Sequence, residues 1–170
     1  MLRIIILLLL TLNITSCGFN FQNKYQYNNI KTLQIISNKQ INYFIKFLIE
    51  EIKLNNIKLI NTNNDNKTPI LKIINFYEDT QTLSIFQNGK AAEKQLSFIV
   101  KAELLMCNNK SYLLNIKIDR TFFDNPLEAL AKDSEKDIIL QEMQEQAAYK
   151  LIQNLLITYS SEFKKIKFNT

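Results

Sequence analysis

Apolar and polar positions alternate most cleanly between residues 91 and 107, where Leu96, Phe98, Val100, Ala102, Leu104 and Met106 fall on one side of the chain. A period of two puts successive side chains on opposite faces of an extended backbone, so this stretch predicts a long strand with one apolar face. Asn108-Asn109 supplies a tight turn, and Tyr112, Leu114, Ile116 and Ile118 give a matching face on a return strand. The two strands are expected to form an antiparallel hairpin. Its reverse face sets Ile99 and Leu105 among Ser97, Lys101, Glu103, Asn115, Lys117 and Asp119, a mixture suited to solvent or to a partner surface.

Two other stretches repeat every three or four residues. Ile41, Phe44, Ile45, Leu48, Ile49 and Ile52 predict a helix, with Ser37-Asn38 as its cap and Asn55-Asn56 as its stop. Leu140, Met143, Ala147, Leu151 and Leu155 line one face of a second, longer helix. A corner at Phe122, Phe123, Asp124, Asn125 and Pro126 starts it: proline lacks the donor a strand needs, and Phe122 and Phe123 point to opposite sides of the ending strand. Asn125 is placed as N-cap, Pro126 at the first helical position, and Glu128 near the positive end of the helix dipole. Short strands are expected at 30–36, 57–60 and 70–77, the first two flanking a helix as in a right-handed parallel crossover. Residues 84–89 carry an Asn-Gly turn signal. One apolar side per helix and one on the sheet predict an α+β two-layer sandwich, with two helices packed on one face of a four- to five-stranded mixed β-sheet.

The first residues change this picture. Arg3 and the apolar run at 4–10 read as a secretory leader, because the run is far below the roughly 20 residues of a membrane-spanning helix. Ile14-Thr15-Ser16-Cys17 has the form of a lipobox, which makes Cys17 the expected lipidated first residue of the mature chain. Several acyl chains anchor durably, since each buried methylene contributes about 0.8 kcal/mol. The expected organisation is a signal peptide at 1–16, a lipidated N-terminus and tether at 17–29, one domain at 30–159, and a solvated basic tail at 160–170 containing Lys164, Lys165 and Lys167.

Composition narrows function mainly by exclusion. The formal charge of +5 falls to +4 without residues 1–16, whose only charge is Arg3, which is compatible with an acidic partner. The chain has no histidine, and so lacks the commonest general base and metal ligand. Asp133, Glu135, Asp137, Glu142 and Glu145 alternate with lysines as on a solvated helix face, and Cys107 reads as a buried or strand-end thiol. No Gly-rich phosphate loop or metal-ligand spacing occurs. The residues imply neither an enzyme nor a cofactor, metal or nucleic-acid ligand.

Arg120, FFDNP at 122–126, ALAKD at 129–133, Glu135, QEM at 141–143 and Ala147-Ala148 stand in one linked order that resembles the LptE family of lipopolysaccharide-assembly lipoproteins. Cys17-Gly18-Phe19, SIFQNG at 84–89, Ala92-Glu93 and Gln95 extend the resemblance, which is weakest over 20–80. It implies the same α+β fold and a lipid-anchored, non-enzymatic protein on the periplasmic side of the outer membrane that assists lipopolysaccharide assembly and export. The implied partners are an LptD-type outer-membrane β-barrel, for which it would be plug and folding partner, lipopolysaccharide itself, and the membrane through the N-terminal lipid. A residue other than aspartate after Cys17 agrees with outer-membrane sorting. Lys132, which the helix dipole does not favour, and Lys90 are the candidate contacts to lipopolysaccharide phosphates. Family members can carry a basic residue where this chain has Gln87. The alternative is a periplasmic small-ligand-binding lipoprotein unrelated to export.

Overall fold

The computed structural model describes residues 30–38, 42–61, 68–125 and 129–168. The expected leader, Cys17, the tether and Pro126 lie outside them. Among these residues the elements are five strands, β1 (Thr32–Ser37), β2 (Lys58–Leu59), β3 (Ile70–Ile85), β4 (Ala91–Leu105) and β5 (Ser111–Phe123), and two helices, α1 (Tyr43–Leu54) and α2 (Ala129–Phe168). The sheet order is β2-β1-β3-β4-β5. β1 pairs in parallel with both β2 and β3, while β3, β4 and β5 form an antiparallel meander. This is the mixed sheet with two helices that the patterning predicts.

On β4 one face is dry from Leu96 to Leu104: Leu96, Val100, Ala102 and Leu104 are fully buried, and Phe98 nearly so. Leu114, Ile116, Ile118 and Phe122 of β5 continue this face, and Leu71, Ile73 and Phe76 of β3 close it on the other side. Phe44 of α1 stands over it with its ring 5.0 Å from Phe76 and 5.5 Å from Phe98, both tilted, a geometry that favours the ring quadrupoles. α2 adds Met143, Ala147, Ala148, Leu151, Ile152, Leu155 and Leu156, and the two alanines let its backbone approach closely. Each large side chain removed from water here contributes roughly 1.5–3 kcal/mol.

Local chemistry sets the ends of these elements. The cap of α1 is Asn42, whose Oδ1 accepts the Ile45 N–H at 3.1 Å, rather than Ser37-Asn38; Ser37 is still the last residue of β1. The stop at Asn55-Asn56 is as expected: Asn55 Nδ2 donates to the Glu51 carbonyl at 2.8 Å, and Asn56 turns the chain through φ 58°. The meander uses one turn twice. Asn88 and Asn108 each accept the backbone N–H of the lysine two residues on, while Gly89 and Asn109 supply the positive φ. β3 runs to Ile85, well past the expected end at residue 77, because its far half is held by its ladder with β4 and not by an apolar face.

α2 also outruns its expected end. Residues 160–168 are helical, and Ser160 and Glu162 are buried where a solvated tail was anticipated. Lys110 Nζ lies 3.2 Å from Glu162 Oε2, and the Tyr112 hydroxyl also bonds Glu162, so partners from the β4–β5 turn and the start of β5 compensate the buried carboxylate. Burial first, then this hydrogen bond and charge, push the Tyr112 hydroxyl above its usual range. On the reverse face of the sheet Ser97 is buried and donates to Asp119 Oδ1 at 2.5 Å, so that face is less wet than its composition implies.

Phe122 is 3% exposed and Phe123 65%. Phe122→Ala should therefore cost about 3–5 kcal/mol and Phe123→Ala less than about 0.5 kcal/mol in urea unfolding; equal losses would contradict the corner. A second expectation concerns acid. The Ser97 hydroxyl holds Asp119 below the usual carboxylate range, partial burial opposes it, and Lys117 and Gln95 add smaller downward pulls. The unfolded chain takes up this proton first, so the stabilisation is complete above the ordinary carboxylate value and lost as pH falls through the lowered folded value. The stability gap between wild type and Ser97→Ala should accordingly shrink over that window, and a gap constant with pH would refute the assignment.

Candidate functional site

The corner after β5 folds back on its neighbour. Asp124 donates its backbone N–H to the Ala92 carbonyl at 3.0 Å, and its carboxylate meets Lys94 Nζ at 2.5 Å. Strand register places Lys94 directly between Thr82 of β3 and Phe122 of β5. The first turns of α2 then return over the same point, where Lys132 Nζ stands 5.6 Å from the centre of the Phe122 ring. Strand, corner and helix thus bring two amines to one buried phenylalanine.

Lys132 keeps about a fifth of its side chain in contact with water and pairs with Glu135 Oε2 at 2.7 Å. The ring and the carboxylate answer the unfavourable position of a cation near the start of a helix. Lys90 does not join this cluster. It closes the β3–β4 turn through its backbone and lies exposed, four residues along β4 from Lys94. Gln87 is in the same turn. Asn125 is half-buried beside the undescribed 126–128, and the cap proposed for it falls at that boundary.

Three features of the fold carry little signal in the sequence. Lys94 sits among intermediate positions of β4, and only its even place on the apolar side marks it as a charge on the helix-bearing face. Arg120 reaches Gln146 Oε1 of α2 at 2.8 Å, and Gln144 Nε2 reaches Glu78 Oε1 of β3 at 3.2 Å, so polar side chains peg the helix to strands on either side of β4. Leu83, Ile85 and Phe86, 49%, 65% and 44% exposed, form an apolar tip on the hairpin. Their signal is three apolar residues gathered in an otherwise polar stretch just before the Asn-Gly turn.

At the hairpin turn Lys90 lies next to the exposed Phe86, whose N–H donates to the Lys90 carbonyl at 2.8 Å, an arrangement that can hold an amphiphile with an anionic head. Among the described residues no group of side chains suits a metal ion, and Asp133, Glu135, Asp137, Glu142 and Glu145 are exposed along α2. Cys107 is an exposed thiol at the end of β4.

Residues 30–155 match the family model described as LptE, lipopolysaccharide-assembly. The chain is 41% identical over 168 residues to the LPS-assembly lipoprotein LptE of Photorhabdus laumondii, covering 97% of this chain and 92% of that protein. It is 38% identical over 170 residues to the protein of the same name from Yersinia pestis, covering 98% and 82%. Among solved structures, rare lipoprotein B from Shewanella oneidensis superposes with a TM-score of 0.71 at 28% identity, over 76% of this chain and 97% of that one. A lipoprotein B from Nitrosomonas europaea superposes with a TM-score of 0.63 at 21% identity, over 79% and 85%, and shares the fold. The family model matched over most of the chain and the relatives 38–41% identical along nearly all of it agree: the chain belongs to the LptE family of lipopolysaccharide-assembly lipoproteins.

Proposed function

We propose that this chain is an outer-membrane lipoprotein, anchored on the periplasmic side, that assists lipopolysaccharide assembly and export as plug and folding partner of an LptD-type β-barrel and as a lipopolysaccharide-binding component. The observation that carries the reading is the hairpin end of the fold. There Lys90 stands at a turn closed on the exposed Phe86, with Leu83 and Ile85 exposed on the strand that leads into it, so that an amine and apolar surface face an amphiphile together. A phosphate approaching Lys132 competes with Glu135 for the same ammonium, whereas Lys90 presents its charge from an open turn. The reverse face supplies a second kind of surface: Ile36, Tyr77 and Leu113 are exposed among charged groups, a mixture that suits a wet interface with a barrel wall. In this reading Cys17 carries the lipid, residues 17–29 are the tether, and the domain begins at residue 30.

The combined Lys90→Glu and Lys132→Gln variant should bind purified lipopolysaccharide more weakly than wild type, with a larger deficit at low than at high salt and unchanged circular dichroism. A deficit independent of salt would remove these amines from the phosphate contact. Photo-crosslinkers at Gln87, Lys101 and Asn115 should capture the barrel in cells; abundant folded lipoprotein without barrel capture at any of the three would favour the small-ligand alternative.

Intact-mass measurement should find the mature chain beginning at an acylated Cys17, and Cys17→Ala should move the protein out of the detergent phase. An unmodified Cys17, or retention of Met1, would exclude the anchor.

A further inference from the structure

The hairpin tip and the open face of the sheet leave one end of the molecule unassigned, the end at which Ile30 enters the fold. β1 starts there and runs parallel to β2 and β3, so both neighbours also begin at that end. The last turn of α1 arrives at the same place. Asn56 donates its backbone N–H to the Lys53 carbonyl at 2.9 Å, Ile57 its own to the Ile52 carbonyl at 3.1 Å, and Lys58 its own to the Lys31 carbonyl at 2.9 Å. The β3–β4 ladder sets Ile70 opposite Leu105, which brings the β4–β5 turn to this level as well.

This end is basic and partly apolar. Lys31, Lys53 and Lys58 are exposed, and Leu54, next to Lys53 in the chain, is 64% exposed. Lys110 adds an ammonium whose side chain stays 57% exposed while it pairs with Glu162. Among the described residues no aspartate or glutamate occurs in 30–33, 52–60 or 106–112. Of the carboxylates beside these stretches, Glu162 is buried against Lys110 and Tyr112, and Glu51 is half-buried before the last turn of α1. Glu50 is exposed, about 6 Å up the helix axis from Leu54. α2 runs on from Glu162 to Phe168, a stretch that holds Lys164, Lys165 and Lys167 and no acid. At the hairpin end, by contrast, Lys94 is answered by Asp124 and Lys132 by Glu135.

We infer that this end is a membrane-contact surface, on which Lys31, Lys53 and Lys58 meet the phosphates of anionic phospholipids and Leu54 enters the headgroup layer beside them. The inference rests on the Cys17 anchor proposed above, which decides the end that a bilayer can reach. Thirteen residues, 17–29, separate Cys17 from Ile30, and full extension gives them a reach of about 45 Å at most. The sixteen residues of β3 alone run about 50 Å from this end toward the hairpin. A domain held upright therefore keeps its lysine end at the bilayer and its hairpin tip well away from it. The acyl chains supply the anchorage, and lysines beside an anionic surface add an attraction that salt weakens. Contact at this end orients the domain and leaves the hairpin and the open sheet face available for their own partners.

The test uses the full-length lipidated chain in a Cys107→Ser background, reconstituted in phosphatidylcholine vesicles with or without phosphatidylglycerol, which carry a nitroxide quencher on their headgroups. A thiol-linked fluorophore is placed at Leu54→Cys or, at the opposite end, at Gln87→Cys. In phosphatidylglycerol vesicles the label at position 54 should be quenched several-fold more than the label at 87, and high salt should shrink the difference. The combined Lys31→Glu, Lys53→Glu and Lys58→Glu variant should lose most of that quenching while it still floats with the vesicles and keeps its circular dichroism. If that variant loses its fold, the salt and lipid dependence of the labelled parent chain decides. Equal or stronger quenching at 87, or quenching at 54 that survives charge reversal or needs no phosphatidylglycerol, overturns the contact and leaves the anchor standing. Vesicles that fail to float the parent chain overturn the anchor, and this contact with it.

Discussion

Exclusion of water from one face of β4 is the constraint on which the other elements depend. Leu96, Phe98, Val100, Ala102 and Leu104 form an apolar row too long for one helix turn or one neighbouring strand to cover. β3 and β5 extend it sideways, Phe44 of α1 covers it near Phe76, and the apolar stripe of α2 closes the rest. A polar substitution in the middle of that row would disturb strand pairing and helix docking together, because the same side chains serve both. The two layers are interdependent: neither helix has a core of its own, and among the described residues nothing else covers the sheet on that side.

That row, and much of what rests on it, can be read directly from the chain. Alternation along β4 and β5 survives into the fold because one face is dry and the other polar. The helix period of α2 survives for the same reason. Where burial does not imprint a pattern, reading failed. The far half of β3 is exposed on both faces, so it carries no alternation strong enough to mark a strand. Glu162 reads as part of a solvated tail because the groups that make its burial tolerable, Lys110 of the β4–β5 turn and Tyr112 at the start of β5, stand some fifty residues earlier in the chain.

The candidate site divides along the same line. Lys132 was conspicuous as a cation where a helix dipole opposes one, and the resemblance to the LptE family drew attention to it. Its seat on Phe122 is a tertiary contact that sequence spacing does not encode. Lys94 was hidden because it occupies an even position on a strand otherwise read for its apolar residues, and only the fold-back of Asp124 gives it a partner. Lys90 and Lys132 carry the same charge, yet Lys132 is held in a cluster and Lys90 stands in an open turn. They would therefore meet an anionic group with different freedom and different competition.

The sixteen residues of β3 also belong to two regimes of stability. From Leu71 to Phe76 the strand lies in the core, and its amide protons can exchange with solvent only when the sheet itself opens. From Tyr77 to Ile85 both faces are wet, and the shift between Thr82 and Ser84 loosens the ladder further. Local opening costs least where few apolar contacts must break. The hairpin tip can therefore change shape, or separate its strands for a moment, while Leu71, Ile73 and Phe76 stay fixed, giving the molecule a compliant arm built from the same strand as its rigid centre.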